Sequence, residues 1–454
     1  MSYKSINPVN GEIFKEYKTI SNSELNEKLE LGNKQFKEWS ALELKDRILG
    51  VKKIAKHLKN DLEVHAKNIT LEMGKPITQA RAEIEKTILL CNYYCENTEQ
   101  LLSKEVYTSN AKESYVVYEP MGIIYAVMPW NFPYWQVFRF LIPNLILGNV
   151  AVLKHASNVP GCAQKIEEVV LKAGVPKGVF QNLFINYKQS EKVIESDYVW
   201  GVTLTGSEYA GSMVAQIAGK NIKKSILELG GNDSFILLHD ADVDIAVEVG
   251  VSARMNNSGQ SCIAAKRFIV HKNIFDEFVK KYVSKIEKLS IGNPMESGTD
   301  IGPIATKTLI AELEEQVNKS VKQGAKIVVG GERLEKDSNF YKATLITDVK
   351  EGMPLFSEET FGPVTPVFKV ENDEEAILLA NNTELGLGAS LWTKDIEKAK
   401  MLARKIMVGT VAINGMVKSD PRLPFGGTKK SGFGRELSGV GLKEFSNMKT
   451  INIF

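Results

Sequence analysis

Cys262 closes the run Asn257-Ser258-Gly259-Gln260-Ser261-Cys262, and upstream of it a glutamate precedes paired glycines in Glu228-Leu229-Gly230-Gly231. Small, flexible neighbours let backbone amides and a substrate come close to a thiol, which is how a nucleophilic cysteine is presented to a carbonyl. A purely structural thiol would sit among large aliphatic residues. Asn131, in Met128-Pro129-Trp130-Asn131-Phe132-Pro133, is an amide held between prolines and aromatics at the mouth of a helix. That rigidity suits an oxyanion donor, and it equally suits a helix cap. Lys154 ends an apolar run at 149–154, and a second run at 201–205 leads into Gly206-Ser207-Glu208 at a helix start. Strand carboxyl ends facing a helix amino terminus bind nucleotides in doubly wound sheets. The glycine spacing is not G-x-G-x-x-G, so an ordinary strand-to-helix turn and a solvated strand-end lysine stay open.

These residues need elements to place them. From 22 to 102 apolar residues recur at three-to-four spacing, which predicts helices used for packing, with no chemistry apparent. Short apolar runs then alternate with helices that should begin near Pro133, Asn158, Ser190 and Glu208. Such runs predict strands buried on both faces of a parallel α/β sheet. A second alternation after Glu228, with strands near 234–238, 267–270, 326–329 and 365–370, predicts a second α/β lobe. The last residues read as a strand lying against something else.

Composition narrows the function classes. A net charge of +2 with evenly mixed Lys, Arg, Asp and Glu gives no nucleic-acid groove and no polybasic membrane patch. No stretch reaches the ~18 apolar residues of a membrane span, and the first residues lack the apolar core of a signal peptide, so a cytoplasmic location is expected. Cys91, Cys95, Cys162 and Cys262 suggest no disulfide framework, and the scattered histidines no metal site.

Taken in order, seven segments resemble the aldehyde dehydrogenase superfamily along essentially the whole chain. They are Pro129-Trp130-Asn131-Phe132-Pro133, Leu153-Lys154, Thr205-Gly206-Ser207, Glu228-Leu229-Gly230-Gly231, Gly259-Gln260-Ser261-Cys262, Glu358-Glu359-Thr360-Phe361-Gly362-Pro363-Val364, and Pro424-Phe425-Gly426-Gly427 with Ser431-Gly432-Phe433-Gly434-Arg435-Glu436. The resemblance implies an aldehyde dehydrogenase-like α/β fold. Its parts are a Rossmann-like cofactor-binding domain (1–102 and 121–229), an α/β catalytic domain (230–420) and a small β oligomerisation arm (103–120 and 437–454) that makes a homodimer or homotetramer.

The resemblance also implies roles. Cys262 attacks the aldehyde, Asn131 and the Cys262 N–H hold the oxyanion, and Glu228 activates the water that hydrolyses the thioester. A free thiol titrates near ~8.5, so thiolate must be favoured locally, and without a histidine motif Glu228 is the candidate. Lys154 and Glu359 match ribose-binding positions, Gly206 and Ser207 the turn under the pyrophosphate, and Trp130 and Phe361 complete the cofactor set. Ser157 stands where NAD-preferring relatives often carry a glutamate. NADP is therefore expected in preference to NAD, unless Ser157 is merely a helix cap.

The segment from Leu153 to Val159, the run from Gly426 to Ser438 and the short length look like the succinate-semialdehyde dehydrogenases. Many of these carry a second arginine shortly before the cysteine, whereas Asn256 and Asn257 stand here and the nearest is Arg254. An arginine among Trp135, Phe138 and Phe140 is costly unless paired, so Arg139 is expected to clamp the substrate's distal carboxylate, with Ser419 adding a hydroxyl. The alternative is an Arg139 paired to a nearby Asp or Glu. Other readings are a dehydrogenase for another small or neutral aldehyde, a CoA-acylating or phosphorylating relative, against which Glu228 argues, and a non-catalytic protein on the same fold, against which Cys262, Glu228 and Asn131 argue.

Overall fold

A computed structural model describes residues 3–454; Met1 and Ser2, the first two residues of the expected cofactor-binding segment, lie outside them. Two sheets organise the molecule. In the first the strand order is Gly432–Phe433, Lys224–Glu228, Val199–Thr205, Ile123–Met128, Val150–His155, Phe180–Asn182. All neighbours are parallel except the edge strand Gly432–Phe433, which returns from far along the chain to run antiparallel to Lys224–Glu228. Val150–His155 is buried at every position, as the apolar run Val150–Leu153 predicts, and the burial extends over Lys154 and His155. The second sheet runs Lys326–Val329, Thr344–Thr347, Val364–Val370, Arg267–His271, Ser234–Leu237, Gly388–Trp392, Thr410–Ile413, and is parallel apart from the antiparallel edge pair at Lys326–Val329.

Of the amino-terminal helices, Asn22–Ser40 buries an apolar face on the strands of the first sheet, while Leu44–Asn60, Leu62–Met73 and Ile77–Leu101 pack on that sheet's helices. Asn22–Ser40 starts at a capping box in which Ser21 and Glu24 satisfy each other's backbone N–H, and Leu62–Met73 stops at Gly74, whose φ of +78° ends the helix in the left-handed region. Helix starts fall within a few residues of expectation, at Trp135, Pro160, Tyr187 and Glu208. The third is early because Asn186 and Gln189 form a capping box there. Among the described residues no helix is long and apolar enough to cross a membrane.

A three-stranded antiparallel sheet, Ser446–Ile453, Glu113–Pro120, Glu105–Val106, stands apart as an arm with Ser446–Ile453 on its edge. The helix Ser438–Glu444 packs on Trp135–Leu147 and Ile77–Leu101, and the edge strand of this sheet begins at Ser446. Its root is tied to the first sheet by the buried Asn149. The Asn149 Oδ1 accepts from the Met121 and Gly122 amides at 2.7 and 3.1 Å, while Nδ2 donates to Phe445 O at 2.7 Å and Asn144 Oδ1 at 2.9 Å. Asn149→Ala strands these buried groups and should cost at least ~2 kcal/mol in chemical denaturation, since each unsatisfied group costs about 1 to 3 kcal/mol. A loss below ~0.5 kcal/mol would mean that water replaces the amide at no cost.

Candidate active site

The nucleophile loop leaves the helix Val243–Met255 through a tight turn in which Asn257 and Ser258 have φ of +55° and +56°. Side chains with a Cβ rarely adopt this conformation, and it persists only where surroundings enforce it. Here they do. The Asn257 amide donates to Asn131 O at 2.9 Å and Gln260 O at 3.0 Å, its N–H donates to Gln79 Oε1 at 2.7 Å, and the Ser258 hydroxyl bonds both N–H and C=O of Gly302. The glycines around the loop are set by contact. A Cβ on Gly259 would lie 2.2 Å from Gly362 O, and one on Gly231 2.4 Å from Cys262 O.

Asn131 does not cap the following helix. The helix Trp135–Leu147 begins after Tyr134 without a local side-chain cap, and its free Tyr134 and Trp135 amides donate instead to Glu83 Oε1 at 2.8 and 3.1 Å. Lys75 pairs with the other Glu83 oxygen and lies over the Phe132 ring. Asn131 Nδ2 is thereby held beside the nucleophile loop, donating to Gln260 O at 3.2 Å. Burial pushes the Cys262 thiol up to about 11 against the pull of Lys266 and Arg139, so thiolate formation needs help from the site. Lys266, fully buried, donates to Ser261 O at 2.8 Å and Cys262 O at 2.6 Å and pairs with Glu359 at 3.1 Å.

Glu228 ends its strand 2% exposed, with neither carboxylate oxygen hydrogen-bonded among the described residues. Burial pushes its carboxyl well above the usual range; Arg139 opposes this, Glu436 reinforces it and Arg435 opposes it. A carboxyl balanced in this way suits proton transfer.

Arg139 departs from the free clamp expected of it. Its guanidinium forms a buried ion pair with Glu436, although the two heads are not aligned for a hydrogen bond, and it donates to Thr205 Oγ1 at 3.2 Å while lying 5.0 Å from the Phe425 ring centre. A buried arginine needs an internal counter-charge, and Glu436 provides it. Arg254 also turns away from the site, donating to Val364 O at 2.7 Å and Thr360 O at 2.9 Å.

A cavity of about 380 Å³ opens onto Cys262, walled by Phe132, Trp135, Ile263 and Phe425. Its lining includes Gln79, Glu83 and Lys86 of the helix Ile77–Leu101, a stretch whose sequence suggested packing alone. Lys86 Nζ lies 3.9 Å from the Trp135 ring centre and donates at 2.8 Å to Ser419 Oγ, and Ser419 lines the same cavity. The only sign of this in the sequence is that Gln79, Glu83 and Lys86 share one helical face.

On the other side of the loop lie the candidate cofactor residues. Lys154 is 7% exposed and, among the described residues, in no ion pair, and burial depresses it to about 8. A buried, unpaired ammonium fits a phosphate. Ser157 is exposed and caps nothing, since the helix Pro160–Lys172 starts from Val159 without a side-chain cap. Ser207 caps Glu208–Lys220 through Ala210 N at 3.3 Å, and a Cβ on Gly206 beside it would meet only Leu204 Cδ2, in ordinary contact at 3.5 Å. An open backbone at a helix amino terminus fits a pyrophosphate. Glu359 accepts from Gly231 N at 3.2 Å, and Trp130 and Phe361 meet edge to face at 5.8 Å.

The aldehyde dehydrogenase family model matches residues 1–451. The chain belongs to this family. Among curated family members it is 48% identical over 451 residues to the probable succinate-semialdehyde dehydrogenase [NADP(+)] of Synechocystis sp., covering 99% of each chain. It is 43% identical to succinate-semialdehyde dehydrogenase [NADP(+)] 1 of Mycobacterium tuberculosis, again over 99% of each. The solved structure of succinic semialdehyde dehydrogenase from Streptococcus pyogenes in complex with NADP+ superimposes with a TM-score of 0.97 at 38% identity, covering 99% of each chain.

The buried pair sets an expectation for Arg139→Ala. Leaving Glu436 without its counter-charge should destabilise the protein by about 3 to 5 kcal/mol and depress turnover of neutral and anionic aldehydes alike, as thermal unfolding and paired assays would report. A loss confined to anionic aldehydes, with stability intact, would restore the guanidinium to substrate binding.

Proposed function

We propose that this aldehyde dehydrogenase oxidises succinate semialdehyde to succinate with NADP as preferred acceptor and NAD as the weaker one. The observation that carries the reading is the shared cavity lined by Cys262, by apolar walls and by Lys86 with Ser419. Such a cavity suits a short aldehyde bearing a distant anion. Full-length similarity to proteins named as NADP(+) succinate-semialdehyde dehydrogenases supports the same substrate and cofactor.

The Cys262 thiolate forms a C–S bond to the aldehyde carbon, and the oxygen takes the negative charge between the Asn131 amide and the Cys262 N–H. A nicotinamide held by these residues would supply the acceptor for the hydride leaving this carbon, whose carbonyl re-forms as a thioester on Cys262. Glu228 then takes a proton from water, the hydroxide adds to the thioester, and the C–S bond breaks to release the acid and the thiol.

Lys154 and Ser157 are the residues for an adenosine 2′-phosphate: among the described residues the lysine has no carboxylate partner, and no carboxylate stands at 157 to repel the phosphate. Four unpaired cysteines suit a reducing cytoplasm. The edge strand Ser446–Ile453 offers unpaired backbone groups through which a homodimer or homotetramer would assemble.

The deciding experiment is a steady-state comparison of succinate semialdehyde and butyraldehyde with NADP and NAD, with and without CoA or phosphate. The reading expects free succinate, NADP preferred, and no acceleration by CoA or phosphate. Cys262→Ala should abolish cofactor reduction, and Glu228→Gln should slow thioester hydrolysis by ~10² or more while leaving a first burst of hydride transfer. Ser157→Glu should move the preference towards NAD. An unchanged NADP/NAD ratio in that variant would contradict the cofactor assignment, and butyraldehyde preferred over succinate semialdehyde would contradict the substrate.

A further inference from the structure

Lys266 is a buried cation that no step of the mechanism uses. It stands just before the strand Arg267–His271 of the second sheet, its N–H bonded to Asp233 O at 2.9 Å, and its side chain is fully buried. Burying an ammonium is costly unless it is paired and hydrogen-bonded. The nucleophile loop meets it with both. Its three N–H donors go to Ser261 O at 2.8 Å, Cys262 O at 2.6 Å and the Glu359 carboxylate at 3.1 Å, so two of the three end on the peptides that flank the reacting side chain. A neutral donor would satisfy those two carbonyls equally well, so packing alone does not call for a charge here.

The placement has two effects. Ser261 O and the Cys262 N–H belong to one peptide, and a cation drawing electron density towards the oxygen makes the N–H a stronger donor. That N–H is one of the two groups that hold the oxyanion. The other effect is a positive charge beside the thiol. Burial raises the Cys262 thiol; among the charges Lys266 pulls it down most and Arg139 adds, while Glu359 and Glu228 push it up. Arg139 is compensated within the interior by Glu436, whereas Glu359, which faces Lys266, is a quarter exposed and screened by solvent. An anionic Glu228 cannot favour the thiolate by its charge, although the sequence pointed to it for that task.

We propose that Lys266 is the positioning residue that activates the nucleophile: its ammonium, bonded to the carbonyls of Ser261 and Cys262, favours the Cys262 thiolate and strengthens the Cys262 N–H as oxyanion donor. The assignment rests on the reading of Cys262 as nucleophile and deepens it. Lys266 touches no reacting atom, and it acts through the Ser261–Cys262 peptide and through its charge. The Phe361 ring at 6.0 Å and Asp233 also face the ammonium; burial pushes the Asp233 carboxyl up to about 7 against the pull of Lys266, so measurements belong above that pH.

The test uses the full-length enzyme without cofactor and reads the rate at which iodoacetamide alkylates Cys262 at pH 8, followed as lost activity and as mass gained by the peptide carrying Cys262. The thiol gives its proton to solvent and the thiolate sulfur displaces iodide, so the rate follows the thiolate fraction. Lys266→Met should slow alkylation by about 3- to 10-fold, the loss of one nearby opposite charge offset in part by the greater nucleophilicity of a more basic thiolate. Lys266→Arg should recover part of the rate. Glu359→Gln keeps the oxygen that accepts from Gly231 N and Lys266 and removes only the opposing charge, so it should speed alkylation. A merely loosened loop would shift both variants in the same direction. With NADP added, the first burst of cofactor reduction in Lys266→Met should slow by a larger factor than alkylation does, because alkylation forms no oxyanion. A burst slowed no further than alkylation overturns the oxyanion half of the assignment. If alkylated Cys262 leaves wild-type activity intact, the nucleophile reading fails and this assignment with it. If alkylation inactivates the wild type and Lys266→Met reacts as fast, Cys262 stands as the nucleophile and Lys266 does not activate it. Should the Lys266 variants not fold, an alkylation rate in Glu359→Gln that is unchanged or lower overturns the assignment by itself.

Discussion

The reactive thiol depends on a knot of three amide side chains. Asn257 bonds the Asn131 backbone, Asn131 bonds the Gln260 carbonyl, and Gln260 bonds Asn257 O and Ala305 N. Asn131 follows a strand of the first sheet, while Asn257 and Gln260 precede a strand of the second. The knot therefore joins the lobes at the point where an oxyanion donor and a nucleophile have to meet. It also stabilises two left-handed non-glycine residues that would be unfavourable elsewhere. Placement of the donors before charge develops, which is where their catalytic value lies, is inherited from this joint.

Around the knot, charge is managed by distance and by pairing. Glu228 is unpartnered so that it can exchange a proton, while Glu436, close enough to influence it, is held by Arg139. Lys266 spends its three N–H groups on two carbonyls of the nucleophile loop and on Glu359. One buried ammonium thus connects the peptide of the reacting residue to the carboxylate proposed to meet the cofactor ribose. The chemistry asks for a few imperfectly satisfied groups, and the neighbouring ion pairs confine the cost to them.

What was legible in the sequence was what backbone contact dictates. Gly259 and Gly231 are glycines because a Cβ would strike Gly362 O or Cys262 O, and such residues stand in short runs that are easy to read. The two parallel sheets were equally visible, because strands buried on both faces leave continuous apolar runs. Partners far apart in the chain were not visible. Nothing near Arg139 announces Glu436, and an arginine among aromatics looks the same whether its counter-charge is internal or brought by a ligand. The edge strand Gly432–Phe433 was hidden for the same reason, since two residues carry no period. Lys86 was missed because a solvated lysine and one turned into a cavity have identical helical spacing.

Gln79, Glu83 and Lys86 lie on one face of the helix Ile77–Leu101 and reach, in order, the turn before the nucleophile, the start of the helix behind Asn131, and the Ser419 hydroxyl in the cavity wall. The helix acts as a ruler, its rise of about 1.5 Å per residue setting the spacing of three separate parts of the site. Substitutions along it therefore differ in reach. The last mark meets only side chains, Ser419 and Trp135, and can be rewritten without disturbing the other two. Inserting one residue between the marks would rotate those beyond it by about 100° and disconnect them from the rest. The length of this helix should thus be far more constrained over evolutionary time than the residue at its pocket end.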